Sequence, residues 1–171
     1  MSATLDNTKV NAIKSEHGDD QFKPNTTVAA VIVHQNKFLL VEEIENGKNV
    51  FNQPAGHLEA KESLIAAIER EVLEETGLAL SPDYLCGIYY FHRSDLNLFF
   101  LRFCFVIELD AYLQSKPQDI EILDTHWLTF EEIKEKSSKL RSAMVLECIE
   151  DYLSIQQTGK KIPLSSLKSN L

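Results

Sequence analysis

The chain has 171 residues, of which 26 are acidic and 17 basic, so its net charge at pH 7 is −9. This length fits one domain with a substantial core, and 44% hydrophobic and 25% charged residues are ordinary for a soluble globular protein. The acidic balance disfavours a nucleic-acid polymer as the main partner, because phosphate backbones are bound by basic surfaces. Small phosphorylated substrates are not excluded.

The first twenty residues, "MSATLDNTKVNAIKSEHGDD", are polar and poorly patterned. We expect residues 1–20 to form a flexible tail and residues 21–171 to form a single domain. The tail lacks the apolar core of a signal peptide. The strongest apolar run, "LFFLRFCFVIEL", is interrupted by Arg102 and is too short to span a bilayer. We therefore expect a cytoplasmic protein with no membrane partner.

Strand-like patterns dominate both halves of the remaining chain. "TTVAAVIVHQNKFLLVEEI" predicts two strands rich in β-branched residues around a polar turn at 35–37, and "NGKN" predicts a further turn. Two more strands are predicted from "YLCGIYYFH" and "LFFLRFCFVIEL", and a short one around "IEILDTHWL". The widely spaced Cys86, Cys104 and Cys148 lie in apolar stretches, so we interpret them as reduced core residues.

Three helices are predicted from capping and periodicity. Ser63 is a candidate N-cap and Gly77 a candidate C-cap for a helix with a helically spaced apolar stripe between them. "TFEE" at 129–132 has the form of a capping box, and an amphipathic pattern extends over about 142–157. The order of elements predicts a mixed α/β domain with helices packed on a sheet.

The first of these helices carries an unusual cluster of acids. Glu71, Glu74 and Glu75 stand at i, i+3 and i+4 and share one face, although like charges at this spacing destabilise a helix. Clustered carboxylates suit Mg²⁺ or Mn²⁺, which prefer oxygen ligands. Arg70 can pair with a neighbouring carboxylate, and Gly56 permits a sharp turn that brings a backbone carbonyl to a metal.

The spacing of these residues matches a known motif. Gly56, five residues, Glu62, seven residues and then "REVLEETGL" from Arg70 to Leu78 resembles the Nudix box at every position. The flanking segments "FKPNTTVAAVIV", "FNQPAGHLEA", "LRFCFVIEL" and "KIPL" resemble the bacterial phosphatase NudJ group of Nudix hydrolases. The similarity covers about 22–167 and leaves the tail unexplained.

The resemblance implies a fold and an activity. It implies the Nudix fold, an α/β/α sandwich in which a mixed β-sheet is packed between helices. It also implies an Mg²⁺- or Mn²⁺-dependent hydrolase of pyrophosphate linkages in small molecules. Nucleoside tri- and diphosphates are the expected substrates, together with pyrophosphates of the thiamine pathway.

The resemblance also implies roles for individual residues. Glu71 and Glu75 would be the principal metal ligands and Glu74 a further one, with the carbonyl of Ala55 completing the site. Arg70 would orient a carboxylate. Glu62 would either bind metal-bound water or support Arg70.

The general base stays open among three acids. Glu71 and Glu62 are candidates within the motif. Glu121, from "PQDIEILDTHW", matches a region in which other members supply an acid from a loop. The alternative for Glu121 is an ordinary solvated loop acid.

Other residues are candidates for substrate binding. Arg102 interrupts an apolar strand and by alternation shares a face with Phe100. A buried arginine needs a partner, and a substrate phosphate or Glu71 would serve. The alternatives are a structural salt bridge or a position at the edge of the sheet. His57 either binds a phosphate or is an ordinary loop histidine. The aromatic run 89–91 either packs in the core or stacks against a heteroaromatic ring.

Two other functions compete with hydrolysis. One is a Nudix-fold isomerase of isoprenoid diphosphates, which requires a cysteine near the active site. The other is a domain that senses nucleotides without cleaving them. Sensing domains typically lose acids of the motif, and this chain has lost none. The predicted partner is a small-molecule substrate, and the protein is expected to be a monomer or a homodimer.

Overall fold

A computed structural model describes residues 22–171, so the predicted tail at 1–20 lies outside the described residues. The described part contains seven strands, three α-helices and two short 3₁₀ turns at Ser137–Lys139 and Leu164–Ser166. The strands and helices, in chain order, are β1 (Asn25–His34), β2 (Lys37–Glu45), β3 (Lys48–Asn52), β4 (Ala55–His57), α1 (Leu64–Thr76), β5 (Tyr84–Arg93), β6 (Leu98–Leu109), β7 (Ile122–Thr129), α2 (Phe130–Glu135) and α3 (Met144–Thr158).

The strands form one mixed sheet with the order β3-β2-β1-β6-β5, in which β4 also pairs with β1 and β7 with β2. The central pair, β1 and β6, is parallel over ten residue pairs, and the other pairs are antiparallel. The predicted turn at 35–37 joins β1 to β2. Gln35 adopts the left-handed conformation there, with φ 54°. Because β4 follows β3 directly and pairs with β1, the motif glycine is placed beside the centre of the sheet.

Helices cover both faces of this sheet. Val28, Ala30 and Ile32 of β1 point to one face, where they pack against Ala67, Ile68 and Val72 of α1. The alternate residues of β1 point to the other face and pack against α2 and α3, in a cluster that includes Ile133, Val145 and Ile149. The predicted sandwich of helices around a mixed sheet is therefore confirmed.

Local signals fix where the helices begin and end. The Ser63 side chain caps α1 by accepting a hydrogen bond from the amide of Ala66, and Gly77 ends α1 in the left-handed conformation. Thr129 and Glu132 form the predicted capping box of α2. The last helix begins at Met144 instead of 142.

The three cysteines are free and buried in the core, as predicted. Cys104 and Cys148 are fully buried, and Cys86 is nearly so. Within residues 22–171, no helix is both long enough and apolar enough to cross a membrane.

Candidate active site

A cavity of about 590 Å³ opens at the end of the sheet where β1 and β6 begin. One wall carries acids from α1, and the opposite wall carries aromatic and aliphatic side chains from β5 and β6. The strands β1, β3 and β4 form the floor between these walls. The predicted residues Ala55, His57, Glu71, Glu74, Glu75, Arg102 and Glu121 all line this cavity.

Gly56 allows an acid of α1 to reach the sheet. A β-carbon on Gly56 would overlap the carboxylate of Glu71, so only glycine leaves room for that side chain. Glu71 and Glu75 are both buried, with 8% of each residue exposed. The structure therefore places the two acids predicted as principal ligands side by side at the cavity.

Arg70 holds three acids of the motif together. Its Nε and Nη2 atoms donate to the two carboxylate oxygens of Glu62, at 3.1 and 2.8 Å. Its Nη1 donates to Glu71 at 2.7 Å and to Glu74 at 3.3 Å. Nη2 also donates to the backbone carbonyl of His57 at 3.1 Å. These bonds fix the direction of the Glu62 and Glu71 carboxylates relative to Arg70.

The acids differ in how strongly they hold a proton. Burial raises the pKa of Glu71, and the adjacent Arg70 guanidinium partly opposes this. The hydrogen bonds from Arg70 lower the pKa of Glu62. Both carboxylate oxygens of Glu62 therefore accept hydrogen bonds from one guanidinium.

Glu75 is the most strongly perturbed acid of the cluster. Burial raises the pKa of Glu75 well above its usual value, and the hydrogen bond from the backbone amide of Ala55, at 2.9 Å, opposes this. The negative charges of Glu71, Glu43 and Asp119 raise it further. A buried carboxylate surrounded by like charges favours a cation.

The chemistry of this cluster fits a hard divalent cation. Among the side chains of residues 22–171, no three from Asp, Glu, His and Cys converge to hold a metal ion as they stand. One reason is that Arg70 lies between Glu71 and Glu74. Mg²⁺ commonly binds through one or two carboxylates and keeps water ligands for substrate phosphates to displace. Glu71 and Glu75 meet that requirement.

Arg102 is buried, and no acid in the described part of the chain forms an ion pair with it. Only 8% of the residue is exposed, and its Nε and Nη1 atoms have no hydrogen-bond partner in the described part of the chain. Its guanidinium carbon lies 5.5 Å from the ring centroid of Phe91. Burial lowers the pKa of Arg102. The structural salt bridge that the sequence left open is not formed within residues 22–171, whereas the side chain does line the cavity.

The loop before β7 brings further acids to the cavity. The backbone amides of Gln118 and Asp119 donate to the carbonyl of Glu74, at 2.9 and 2.8 Å. The backbone amide of Lys116 donates to the carbonyl of Thr76 at 2.8 Å. These bonds tie the loop to the last turn of α1. As a result Asp119 and Glu121 face the motif acids.

Sequence reasoning missed several residues of the cavity. Thr27, Glu43, Asn52, Arg93 and Arg141 all line it. They come from segments that are distant in sequence, so no motif links them. The signal that identified Arg102, a charged side chain within an apolar strand, does not apply to Thr27 or Asn52, which stand beside other polar residues near the ends of β1 and β3. An isomerase would require a cysteine near the active site, and neither Cys86, Cys104 nor Cys148 lines the cavity.

Comparisons with known proteins agree with this geometry. The family model for the NUDIX domain matches residues 23–147. The phosphatase NudJ of Shigella boydii serotype 4 (strain Sb227) is 44% identical over 146 residues, which cover 85% of this chain and 92% of that protein. The phosphatase NudJ of Escherichia coli (strain K12) is 43% identical with the same coverage. A solved structure of a NUDIX hydrolase from Nitrosomonas europaea is 43% identical with a TM-score of 0.77, covering 86% of this chain and 97% of that one.

Proposed function

This chain belongs to the Nudix family and is a Nudix hydrolase, and from that premise we propose that it cleaves the pyrophosphate linkages of nucleoside tri- and diphosphates and of thiamine-pathway pyrophosphates. The observation that carries the proposal is that the buried motif acids Glu71 and Glu75 share one cavity with Arg102, a buried arginine that has no ion-pair partner within residues 22–171. A pyrophosphate ester carries negative charge that both a metal-loaded acid cluster and a guanidinium attract.

The acids of α1 would hold the metal. Nudix hydrolases generally use divalent metals, and we propose Mg²⁺ or Mn²⁺ here because every donor is an oxygen atom. Glu71 and Glu75 would be the principal ligands, with Glu74 and the carbonyl of Ala55 as further ones. When bound, the metal neutralises the phosphates and stabilises the charge that develops as water attacks phosphorus.

Arg70 and Glu62 would act as positioning residues. The guanidinium bonds both oxygens of Glu62 and one oxygen of Glu71, so it fixes the direction of the Glu71 carboxylate. Glu62 is a poor candidate for the general base as long as both of its oxygens accept from Arg70. Glu71 and Glu121 are the better candidates for the general base. Glu71 lines the cavity, and Glu121 is exposed on a loop that also lines it.

Arg102 and His57 would bind the substrate. Arg102 has donor atoms without partners, and His57 follows Gly56 at the edge of the cavity. The relatives are named phosphatases, which supports release of orthophosphate from the end of the substrate. The complete acid set supports catalysis over sensing alone, and the absence of a cysteine from the cavity wall supports hydrolysis over isomerisation.

Phosphate release from a panel of compounds tests the proposal. The panel contains nucleoside tri- and diphosphates, thiamine diphosphate and isopentenyl diphosphate, each with Mg²⁺, with Mn²⁺ and with EDTA. With either metal, we expect orthophosphate from the nucleotides and from thiamine diphosphate. In EDTA we expect none. Turnover in EDTA would contradict the metal site, and isomerised isopentenyl diphosphate without phosphate release would contradict hydrolysis.

A further inference from the structure

The three arginines that line the cavity all lie on one side of it. Thr27 and Arg102 point to the face of the sheet that α2 and α3 cover, like the residues two positions further along β1 and β6. Arg93 of β5 points to the same face, because it pairs with Leu98, four residues before Arg102. Arg141 reaches the cavity from the segment before α3. The motif acids enter from α1 on the other face, so the cavity has an acidic side and a basic side.

Two of these arginines are paired with acids. Arg93 donates from Nε and Nη2 to Asp95 and from Nη1 and Nη2 to Glu45, so each of its nitrogens is engaged. Arg141 forms ion pairs with Glu43 and Glu45. Its side chain nevertheless remains 37% exposed and lines the cavity. Arg141 can therefore still contact a ligand, whereas Arg93 is committed to its acids.

Arg102 differs from both. Its Nε and Nη1 atoms have no partner within residues 22–171, and the side chain is buried. Burial lowers the pKa of Arg102, and the positive charges of Arg141 and Arg93 lower it further. A buried charge that lacks a counter-ion is unfavourable. Arg102 is thus the counterpart of Glu75 on the acidic side, and it attracts an anion where Glu75 attracts a cation.

The groups around Arg102 specify the chemistry of that anion. Thr27 lies directly opposite Arg102 in the sheet, is only 4% exposed, and its hydroxyl has no partner within residues 22–171. Arginine nitrogens only donate, and a threonine hydroxyl can donate as well. The matching ligand therefore carries negative charge and several acceptor oxygens. A phosphate group meets both requirements, and guanidinium groups bind it through charge-assisted hydrogen bonds.

We propose that Arg102, Thr27 and Arg141 form a metal-independent subsite for one phosphate group of the substrate. The neighbouring phosphate lies at the motif acids and their metal. The inference rests on the proposed function only for the source of the phosphate, since the subsite needs neither metal nor turnover to bind it. Orthophosphate should occupy the same subsite and compete with the substrate.

Thermal melting in EDTA tests the subsite with inorganic phosphate as the probe. We expect about 20 mM potassium phosphate to raise the melting temperature of the wild type, because a ligand of the folded state stabilises it. Potassium chloride of equal ionic strength controls for screening. Potassium acetate tests whether a carboxylate serves equally well. No rise above the chloride control, or an equal rise with acetate, would overturn the proposal.

Two variants distinguish binding from a structural role. Arg102→Met removes the charge at similar length and should weaken phosphate binding, measured by calorimetry in EDTA, at least about tenfold. Without phosphate it should melt at or above the wild-type temperature, because an uncompensated buried charge is gone. Thr27→Val should weaken binding about twofold to tenfold without lowering the melting temperature. Unchanged affinity in Arg102→Met, or a melting temperature well below wild type, would overturn the proposal.

Arg93→Met is the matched control. It removes another arginine of the same cavity, but one whose nitrogens already bind Glu45 and Asp95. It should therefore melt below the wild type, since those acids lose their partner, and keep its phosphate affinity within about threefold. Equal loss of affinity in both arginine variants would reduce the effect to general charge and overturn the subsite.

Inhibition in Mg²⁺ connects the subsite to the substrate. Orthophosphate should inhibit ADP cleavage competitively, and inhibition that is not competitive would overturn the assignment to a substrate phosphate. If orthophosphate binds in EDTA as expected but the phosphate-release panel shows no cleavage, the proposed function fails and the subsite stands. If the panel shows cleavage and orthophosphate does not bind in EDTA, the subsite is wrong and the proposed function stands.

Discussion

Glu75 is the residue at which burial and charge conflict most. Its carboxylate is buried beside Glu71, Glu43 and Asp119, and in the described residues the backbone amide of Ala55 is its hydrogen-bond donor. Arg70, in contrast, is well compensated. Four of its hydrogen bonds go to neighbouring acids, so its charge offsets theirs and its bonds orient them. The two residues should therefore respond differently to substitution.

We expect Glu75→Gln to be inactive but stable. The amide keeps the size of the side chain and removes the charge that attracts a cation, so kcat should fall on the order of 100-fold or more. Without metal, the variant should melt at or above the wild-type temperature, because repulsion with Glu71 is gone. Near-normal turnover, or a melting temperature well below wild type, would make Glu75 a structural residue.

Arg70→Ala should be both inactive and less stable. It removes the hydrogen bonds to Glu62 and Glu71 and leaves their charges uncompensated, so we expect a loss of about 2 kcal/mol in the free energy of unfolding. Metal-free urea unfolding and phosphate release, measured in parallel with Glu75→Gln, check the contrast. Equal stability of the two variants would contradict the positioning role of Arg70.

Gly56→Ala should disturb the site more than the fold. Its β-carbon would overlap the Glu71 carboxylate, which is the end of a flexible side chain and can turn away. We expect the free energy of unfolding to change by less than about 1 kcal/mol, since only a rotamer must change. The Mg²⁺ concentration for half-maximal turnover should rise about tenfold, as expected when a ligand is displaced. A normal metal requirement would show that Glu71 is not a ligand.

At the scale of elements, the C-terminal end of α1 organises the cavity. The loop before β7 donates three backbone hydrogen bonds to the last turn of α1, from Lys116, Gln118 and Asp119. Gly77, which ends the helix with φ 72°, lies directly against the backbone carbonyl of Lys116. The same turn thus ends the helix and holds the loop that presents Glu121.

Gly77→Ala and Gly159→Ala form a matched pair. Both glycines end a helix in the left-handed conformation, with φ 72° and 68°, but among the described residues, 22–171, only Gly77 has a neighbour within 4 Å of where its β-carbon would lie. Gly159→Ala should lose about 1 kcal/mol from the left-handed conformation alone. Gly77→Ala should lose a further 1–3 kcal/mol, roughly the cost of overpacking, because the Lys116 backbone must move. Urea unfolding measures both losses, and equal losses would contradict a close contact in solution.

At the scale of the whole molecule, local signals predicted the elements and one half of the site. Ser63, Gly77 and Thr129 cap the helix ends that they adjoin in sequence. Because this effect is local, the capping predictions were confirmed. The motif acids lie within two turns of one helix, so their neighbourhood could be predicted from spacing. Thr27 and Asn52 come to the cavity through the pairing of distant strands, and the parallel pairing of β1 with β6 has no local signature. The acid wall and Arg102 could thus be predicted, whereas Thr27 and Asn52 could not.

The pH dependence of metal-free stability tests the acid wall within the whole protein. Burial raises the folded-state pKa values of Glu75 and Glu71 above the ordinary glutamate value of 4.5. A carboxyl group with a raised folded pKa contributes its full stability below the unfolded pKa and loses it as pH rises through the folded pKa. Metal-free wild-type protein should therefore become less stable, relative to Glu75→Gln, between about pH 5 and neutrality.

The comparison of the two proteins isolates this effect. Other groups contribute as well, including Glu62, whose pKa Arg70 lowers, so that its contribution has the opposite sign and is present throughout this range. These groups are common to both proteins, so they largely cancel when the wild-type melting temperature is subtracted from that of Glu75→Gln. We expect the difference to be positive at neutral pH and to shrink towards pH 5. Saturating Mg²⁺ should abolish it at neutral pH by raising the wild-type melting temperature alone. A difference that does not vary with pH, or that Mg²⁺ leaves unchanged, would mean that the Glu75 charge is already compensated within the protein and does not bind a cation.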